Sequence, residues 1–307
     1  MSGFDSQARS TDEGIDSQAR STDVGWIGLG AMGGPMAGQL ARSGFTVTGY
    51  DPAVTGVAGV TDAPDAASAV AGAEVVGLMV ATPAQVQTVL DQILESLGQG
   101  AVVLVFATIG PDSAREAALR LAEVGVGMVD APVSGGSVRA GTGELLLMVG
   151  GDPDAVAKAQ PVLDALGTPH VVGPEPGDGQ RLKLVNQLLC GVHVAAAGEA
   201  LAYAEAMGLD PRTCWEVLRG GAAQSFMFND RGARMLDYPD VPVSSAVDII
   251  AKDLGLVTDA AEGVRQPVPL ADSALRLFRD GQGDGLGRTD DSALIEVARR
   301  ARETGTD

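Results

Sequence analysis

Lysine is nearly absent from this chain. Of 21 basic side chains in 307 residues only three are lysine, Lys158, Lys183 and Lys252. The distinction is chemical, because arginine stays protonated whereas a lysine with a depressed pKa can release and regain a proton. A sequence that meets almost all its need for positive charge with arginine either has drifted in composition or keeps lysine where arginine would fail. Drift accounts for Lys158, in the surface-like run Val156-Ala157-Lys158-Ala159. It does not account for Lys183, which opens a long helical pattern, or for Lys252, which precedes Asp253.

Cysteine is scarce as well. Cys190 and Cys214 have neither the spacing of a metal site nor the number for a disulfide framework. They read as buried or partly buried thiols in a reducing cytoplasm, and no metal is expected. No apolar run reads as long enough to cross a bilayer, and no charged-then-apolar leader stands at the start, so the expected location is cytoplasmic. Positive charge is short overall. The formal net charge of −19 argues against nucleic acid or an anionic membrane as a partner. An anionic substrate would need a local positive site against that field.

What is present is apolar enough for a full core, at 45% of residues, in a length that allows one large or two medium domains. Residues 1–23 carry an octapeptide, Asp5-Ser-Gln-Ala-Arg-Ser-Thr-Asp12, that recurs as Asp16 to Asp23. So polar a segment cannot offset the entropy of ordering itself, and a disordered tail is expected there. From Val24 short apolar runs at 24–28, 46–50, 74–80, 101–106, 127–130 and 145–149 alternate with amphipathic stretches such as 36–43, 84–96 and 113–124. That alternation predicts a doubly wound parallel sheet over 24–176. Beyond Gly173-Pro174-Glu175-Pro176-Gly177 the pattern turns helical, at 180–207, 211–220, 247–262, 270–279 and 291–303. An all-helical second domain is expected over 177–307.

Gly28-Leu29-Gly30-Ala31-Met32-Gly33 follows the first strand and opens the first helix. The glycines permit a tight turn, close approach to a pyrophosphate and close helix–strand packing, while the helix N-terminus offers free N–H groups. Asp51, ending the second strand, stands where an acid accepts hydrogen bonds from an adenosine ribose. A carboxylate there repels a 2′-phosphate, so NAD is expected and NADP is disfavoured. A second turn, Asp130-Ala131-Pro132-Val133-Ser134-Gly135-Gly136, follows another strand and presents a hydroxyl and successive N–H groups to an anion; an ordinary connecting loop has the same composition. Thr108 closes a further strand, at the end where such sheets bind ligands. On the first helix of the second domain, Lys183, Asn186, Gln187 and Cys190 share one face, and Val185, Leu188, Leu189, Val192 and Ala196 the opposite one. Taken alone, the polar face fits a solvated surface as readily as a site.

Together these segments resemble the β-hydroxyacid dehydrogenase family, over roughly residues 24–303. The motifs that carry the resemblance are the Gly28–Gly33 loop, the Asp130–Gly136 loop, Gly179-Gln180-Arg181-Leu182-Lys183-Leu184-Val185-Asn186-Gln187, and Lys252-Asp253-Leu254. The resemblance implies a Rossmann-type domain, Lys183 as general acid/base, and a substrate carboxylate held by Ser134, Gly135 and Gly136. It places Asn186 and Gln187 against the substrate, with Thr108 and Lys252 near the nicotinamide. It also implies a homodimer or homotetramer joined through the helical domain. Segments from Lys183 to Ala200, Ser225 to Arg231, Ser245 to Ile249 and Gly287 to Ala293 are similar to the subgroup that oxidises L-threonate and related four-carbon sugar acids. Relatives that reduce semialdehydes or oxidise 3-hydroxyisobutyrate share the same site residues. Imine reductases of the superfamily usually lack the lysine, and a non-catalytic NAD-binding chain would have no need of it. Two departures stand out: Gln187, where many members have asparagine, and Phe106, where a small residue is usual and a ring is expected to narrow the cleft.

Overall fold

The computed structural model describes residues 22–304. The expected tail therefore lies outside the described residues, apart from Thr22 and from Asp23, which opens the first strand. The N-terminal half runs β1 (Asp23–Ile27), α1 (Gly33–Arg42), β2 (Thr46–Tyr50), β3 (Val60–Asp62), α2 (Ala66–Val70), β4 (Val75–Leu78), α3 (Pro83–Ile93), β5 (Val102–Val105), α4 (Pro111–Ala122) and β6 (Gly127–Asp130). It continues through β7 (Val133–Ser134), α5 (Gly136–Thr142), β8 (Leu145–Gly151), α6 (Pro153–Leu166) and β9 (Gly167–Gly173).

The sheet order is β3-β2-β1-β4-β5-β6-β8-β7, with β9 on β8. The first six strands are mutually parallel, and β8 turns antiparallel to β6. Val75-Val76-Gly77-Leu78 and Val102-Val103-Leu104-Val105 are buried along their whole length, because helices cover both faces of the sheet. One core lies under α1, α5 and α6, around Trp26, Met36, Leu40, Phe106 and Leu163. The other lies under α2, α3 and α4, around Val70, Leu90, Val103 and Leu121. Strand order reverses between β1 and β4, which opens a crevice at their C-terminal ends.

The second half is α7 (Asp178–Ala206), α8 (Pro211–Leu218), α9 (Phe226–Asp237), α10 (Val247–Gly263), α11 (Pro269–Gly283), a 3-10 turn (Asp291–Ala293) and α12 (Leu294–Thr304). Among the described residues it holds no strand, only an isolated bridge between Ala246 and Asp290. The 29 residues of α7 span about 44 Å at 1.5 Å per residue. Contrary to the sequence reading, α7 is long and apolar enough to cross a membrane, yet 44% of its apolar 18-residue stretch is buried inside the protein. It packs on α9 to α12 and on β8, as the central helix of the domain.

Several elements escaped the sequence reading. β3 is short and half-exposed, and β9 is an edge strand interrupted by Pro169 and His170, so neither has an apolar run. Helix α9 carries Gly232 in its middle, a helix-weakening residue. A Cβ there would stand 2.7 Å from the Trp215 ring, so packing requires the glycine.

Phe106 does not narrow a cleft. It is 1% exposed and stacks on Trp26 with ring centroids 5.3 Å apart. Trp26 on β1 reaches it by lying across β4 at Gly77, its register partner; a Cβ on Gly77 would meet the indole at 2.4 Å. Gly77→Ala should therefore overpack the site and cost about 1–3 kcal/mol. A urea-unfolding midpoint equal to that of the wild type would contradict this account.

Candidate active site

The crevice at the sheet's reversal is built from the Gly28–Gly33 turn. Gly28 has φ +94°, and a Cβ there would lie 2.2 Å from the Met79 carbonyl oxygen; one on Gly33 would lie 1.9 Å from the Gly28 carbonyl oxygen. Only glycine lets the turn close so tightly against β4 and α1. Gly30 has open space around it, and Gly30 and Ala31 are exposed. The N-terminus of α1 has no acid in its first turn and no side-chain cap, whereas α2, α3, α8 and α9 are capped by Asp65, Thr82, Asp210 and Ser225. Open backbone N–H groups at a helix start suit a pyrophosphate. Asp51 stands beside this turn. Its Oδ2 accepts from Leu29 N at 2.9 Å, and its Oδ1 from Ala53 N at 2.8 Å and Val54 N at 3.1 Å. The carboxylate is fixed at the end of β2, within the crevice.

Across the sheet, Lys183 on α7 is 6% exposed and donates from Nζ to the Val133 carbonyl at 2.7 Å, next to Ser134. Burial pushes its pKa down, opposed by the negative potentials of Asp253 and Cys190 and reinforced by Lys252. Gly135 and Gly136 take φ values of +142° and +73°, so the Ser134–Gly136 turn uses backbone that side chains disfavour. Asn186 donates to Gln187 Oε1 at 2.8 Å and to Cys190 Sγ at 3.4 Å. Gln187 donates to Asp253 Oδ2 at 2.5 Å. Lys252 pairs with Asp253 Oδ1 at 2.8 Å and donates to the Thr108 carbonyl at 2.9 Å. Burial raises the Cys190 thiol, with Lys183 and Arg231 opposing, and both cysteines are free and half-buried.

The structure thus gathers Lys183, Asn186, Gln187, Lys252, Thr108 and the Ser134–Gly136 turn at one junction, and keeps Gly28, Leu29, Gly30, Ala31, Met32, Gly33 and Asp51 together in the adjoining crevice. It reverses the solvated reading of α7. Lys183 and Gln187 are buried, whereas Val185 and Leu189 on the apolar face are 58% and 49% exposed.

Three residues had no role in the sequence reading. Asp253, 3% exposed, joins Gln187 to Lys252. Asp130, fully buried, accepts from Gly177 N and Gln180 N, both at 2.7 Å, and so caps α7 from the end of β6. Gln180, also fully buried, accepts from Ile109 N at 3.0 Å and Gly110 N at 3.2 Å and donates to the Ala107 carbonyl at 3.0 Å. Each sits in a motif already singled out, but at least one partner of each is distant in sequence. Only an acid at a strand end, or an amide in a helix's first turn, hinted at it.

Three of the segments similar to the sugar-acid subgroup, those that begin at Ser225, Ser245 and Gly287, converge on one cluster beyond Cys190. Ser225 caps α9 through Phe228 N at 3.0 Å. Arg231 pairs with Asp291 at 2.7 Å, and Arg234 with Asp290 at 2.7 Å. Asp291 N donates to the Ser245 carbonyl at 2.8 Å. Burial lifts the Asp291 carboxyl to about 6 against the pull of Arg231. Burial acts on Asp290 in the same sense, but hydrogen bonds from Arg234 and Ser292 bring it to about 2.

Comparison with known proteins places this geometry. Residues 23–173 match the family profile described as the NAD binding domain of 6-phosphogluconate dehydrogenase. Residues 177–298 match that described as NAD-binding of NADP-dependent 3-hydroxyisobutyrate dehydrogenase. The chain is 38% identical to the L-threonate dehydrogenase of Escherichia coli strain K12 over 286 residues, covering 89% of this chain and 94% of that protein. It is 39% identical to the L-threonate dehydrogenase of Cupriavidus necator over 283 residues, covering 89% and 95%. The crystal structure of a 3-hydroxyisobutyrate dehydrogenase from Salmonella typhimurium superposes with a TM-score of 0.84 at 36% identity, covering 90% of this chain and all of that one.

Asp130 gives the site a pH signature. Burial raises its carboxyl from 3.8 to about 6, against hydrogen bonds from Gly177 and Gln180 that favour the anion. The native state therefore binds more protons than the unfolded chain between those values, and stability from this source is lost as pH rises through about 6. The stability of wild type minus that of Asp130→Asn, from urea unfolding at a series of pH values, should fall from about pH 4 to about pH 6. A difference independent of pH across that interval would place the titration elsewhere.

Proposed function

The chain belongs to the β-hydroxyacid dehydrogenase family, NAD-dependent oxidoreductases acting on CH–OH groups, and from that premise we propose that it oxidises L-threonate or a similar four-carbon hydroxy acid with Lys183 as the proton carrier. The observation that carries the reading is the burial of Lys183, with its pKa depressed, against the carbonyl that precedes Ser134. Bound NAD supplies the hydride acceptor. The residues that would hold it are Gly28, Leu29, Gly30, Ala31, Met32 and Gly33 at the pyrophosphate and Asp51 at the adenosine ribose. Thr108 and Lys252 would lie toward the nicotinamide. The Asp51 carboxylate disfavours a 2′-phosphate, so NAD is preferred over NADP.

The substrate carboxylate is received by the N–H groups and hydroxyl of Ser134, Gly135 and Gly136, which bind an anion without adding formal charge. Asn186 and Gln187 orient the hydroxyl-bearing carbon. Neutral Lys183 takes the hydroxyl proton in oxidation, and protonated Lys183 returns it to the carbonyl oxygen in reduction. Asp253, held by Lys252 and Gln187, limits how far burial can depress the lysine. Withdrawal of the reacting atoms between sheet and helical domain excludes water.

The likeness to two L-threonate dehydrogenases and the converged Ser225, Ser245 and Gly287 segments support the four-carbon sugar acid. A 3-hydroxyisobutyrate dehydrogenase or a tartronate or succinic semialdehyde reductase is the second reading, favoured by the fold match to a structure of that first activity. Retention of Lys183 argues against an imine reductase or a non-catalytic NAD-binding protein. The exposed Leu182, Val185 and Leu189 face of α7 supports a homodimer or homotetramer joined through the helical domain. Neither nucleic acid nor a membrane fits as a partner at a net charge of −19.

Lys183→Arg keeps the charge and removes the titratable proton. Its kcat should fall by about 10²–10⁴, the usual worth of general acid/base catalysis, with NAD affinity nearly unchanged. Retention of more than about a third of wild-type kcat, against that expected loss, would assign the proton to another group. In a panel of four-carbon aldonates, 3-hydroxyisobutyrate, D-glycerate and 4-hydroxybutyrate, followed at the NADH absorbance band with both cofactors, an aldonate with NAD should give the highest kcat/KM. A clear win for 3-hydroxyisobutyrate would favour the second reading.

A further inference from the structure

Gln180 is a polar side chain with no solvent exposure, and its amide is committed on both sides. Oε1 accepts from Ile109 N and Gly110 N, and Nε2 donates to the Ala107 carbonyl. These three groups bracket Thr108, whose own carbonyl is held by Lys252. Gln180 N is in turn held by Asp130 Oδ2 at 2.7 Å, at the end of the strand that leads into the Ser134 turn. Lys183 lies three residues further along α7, so the two side chains are neighbours on the helix. One residue therefore touches the loop on one side of the junction, the strand end that feeds the other loop, and the helix turn that carries Lys183.

We propose that Gln180 is a positioning residue that couples the Thr108 loop to the first turn of α7, fixing the distance between Thr108 and Lys183. The inference rests on the reading of Lys183 as proton carrier and of Thr108 as a cofactor-side residue. Hydrogen-bond capacity explains why a glutamine serves. Two N–H groups and one carbonyl converge on it, and a carboxamide supplies the matching acceptor and donor. Leaving these groups unpaired in a buried site would let the loop shift to find other partners. Shifts of about 1 Å between reacting groups can lower rates on the order of a hundredfold.

The design also predicts a proton-dependent rescue. A protonated glutamic acid copies the glutamine pattern, since its carbonyl accepts and its O–H donates to Ala107. Ionised, it turns an oxygen toward that carbonyl. The charged groups near the start of α7 and on the elements packed against it are Asp130 at the end of β6, Asp178, Arg181 and Lys183 on α7, the exposed pair Asp112 and Arg115 on α4, and Lys252 from α10. Asp130, whose Oδ2 accepts from Gln180 N, and Asp178, two residues before it, favour the protonated form of the new acid, and burial of the position acts in the same sense.

The test uses the full-length enzyme with NAD and the best acid of the panel, at temperatures where each variant is folded. In Gln180→Ala, kcat should fall about tenfold or more, the range expected for misplaced groups. The NAD dissociation constant, read from quenching of tryptophan fluorescence, should stay within about threefold, because the pyrophosphate turn and Asp51 lie on other strands. In Gln180→Glu, the ratio of variant to wild-type kcat, taken pH by pH, cancels the titrations the two enzymes share. That ratio should rise toward one as pH falls and drop as pH rises. A purely structural role would lower the melting temperature of both variants and leave kcat near wild type with a flat ratio, and that result would overturn the proposal. Lys183→Arg measured in parallel separates the two readings. Activity retained there removes the proton carrier itself, whereas activity lost there but intact in the Gln180 variants removes only the coupling.

Discussion

An ammonium group taken out of water costs several kcal/mol unless charges and hydrogen bonds of the protein replace its hydration. Helix α7 carries Lys183 into such a place, and much of the architecture follows from meeting that cost. The Val133 carbonyl accepts from Nζ, and Asp253 sets a negative charge within reach. Lys252 and Gln187 hold that aspartate in turn. The start of α7 is fixed with the same economy. Its first N–H groups are not capped from within the helix but by Asp130, which arrives from the sheet. A carboxylate at a helix N-terminus is favoured by the helix dipole, yet burial drives it upward to about 6. The junction is therefore held by opposed terms on both sides, a buried cation that tends to lose its proton and a buried anion that tends to gain one.

How much of this was legible in the sequence depends on the range of the interaction. The Gly28–Gly33 turn, Asp51, and the succession of parallel strands followed by helices are written locally, in apolar runs and in the residues that end them. Periodicity also grouped Lys183, Asn186, Gln187 and Cys190 correctly on one side of α7. It could not tell which side is buried. A helix packed on a sheet and on other helices at once has no single apolar face, so Val185 and Leu189 ended outside and the lysine inside. Phe106 misled for a related reason. Its position at a strand end marks the cleft, but its ring turns into the core because Gly77 leaves room for Trp26 to lie beneath it. Asp130, Gln180 and Asp253 were visible as members of motifs, without a role. Apart from Lys252 beside Asp253, the partners that give them a role are 47 to 73 residues away, and no spacing rule spans that distance.

The same range argument bears on recognition of an anionic acid by a chain with a net charge of −19. At physiological ionic strength exposed charges are screened beyond about 8 Å, so the overall field neither attracts nor bars the substrate once it enters the junction. Inside, the local cations are already matched. Lys252 is paired with Asp253, and Arg231 with Asp291. On the proposed reading the carboxylate is therefore received by the uncharged donors of the Ser134–Gly136 turn, and its charge acts chiefly on Lys183. A nearby anion raises a lysine's pKa, whereas burial lowers it. Substrate binding thus opposes the effect of burial on the lysine. Arginine in its place would stay charged whatever surrounds it, which is why a chain so sparing of lysine would keep one here.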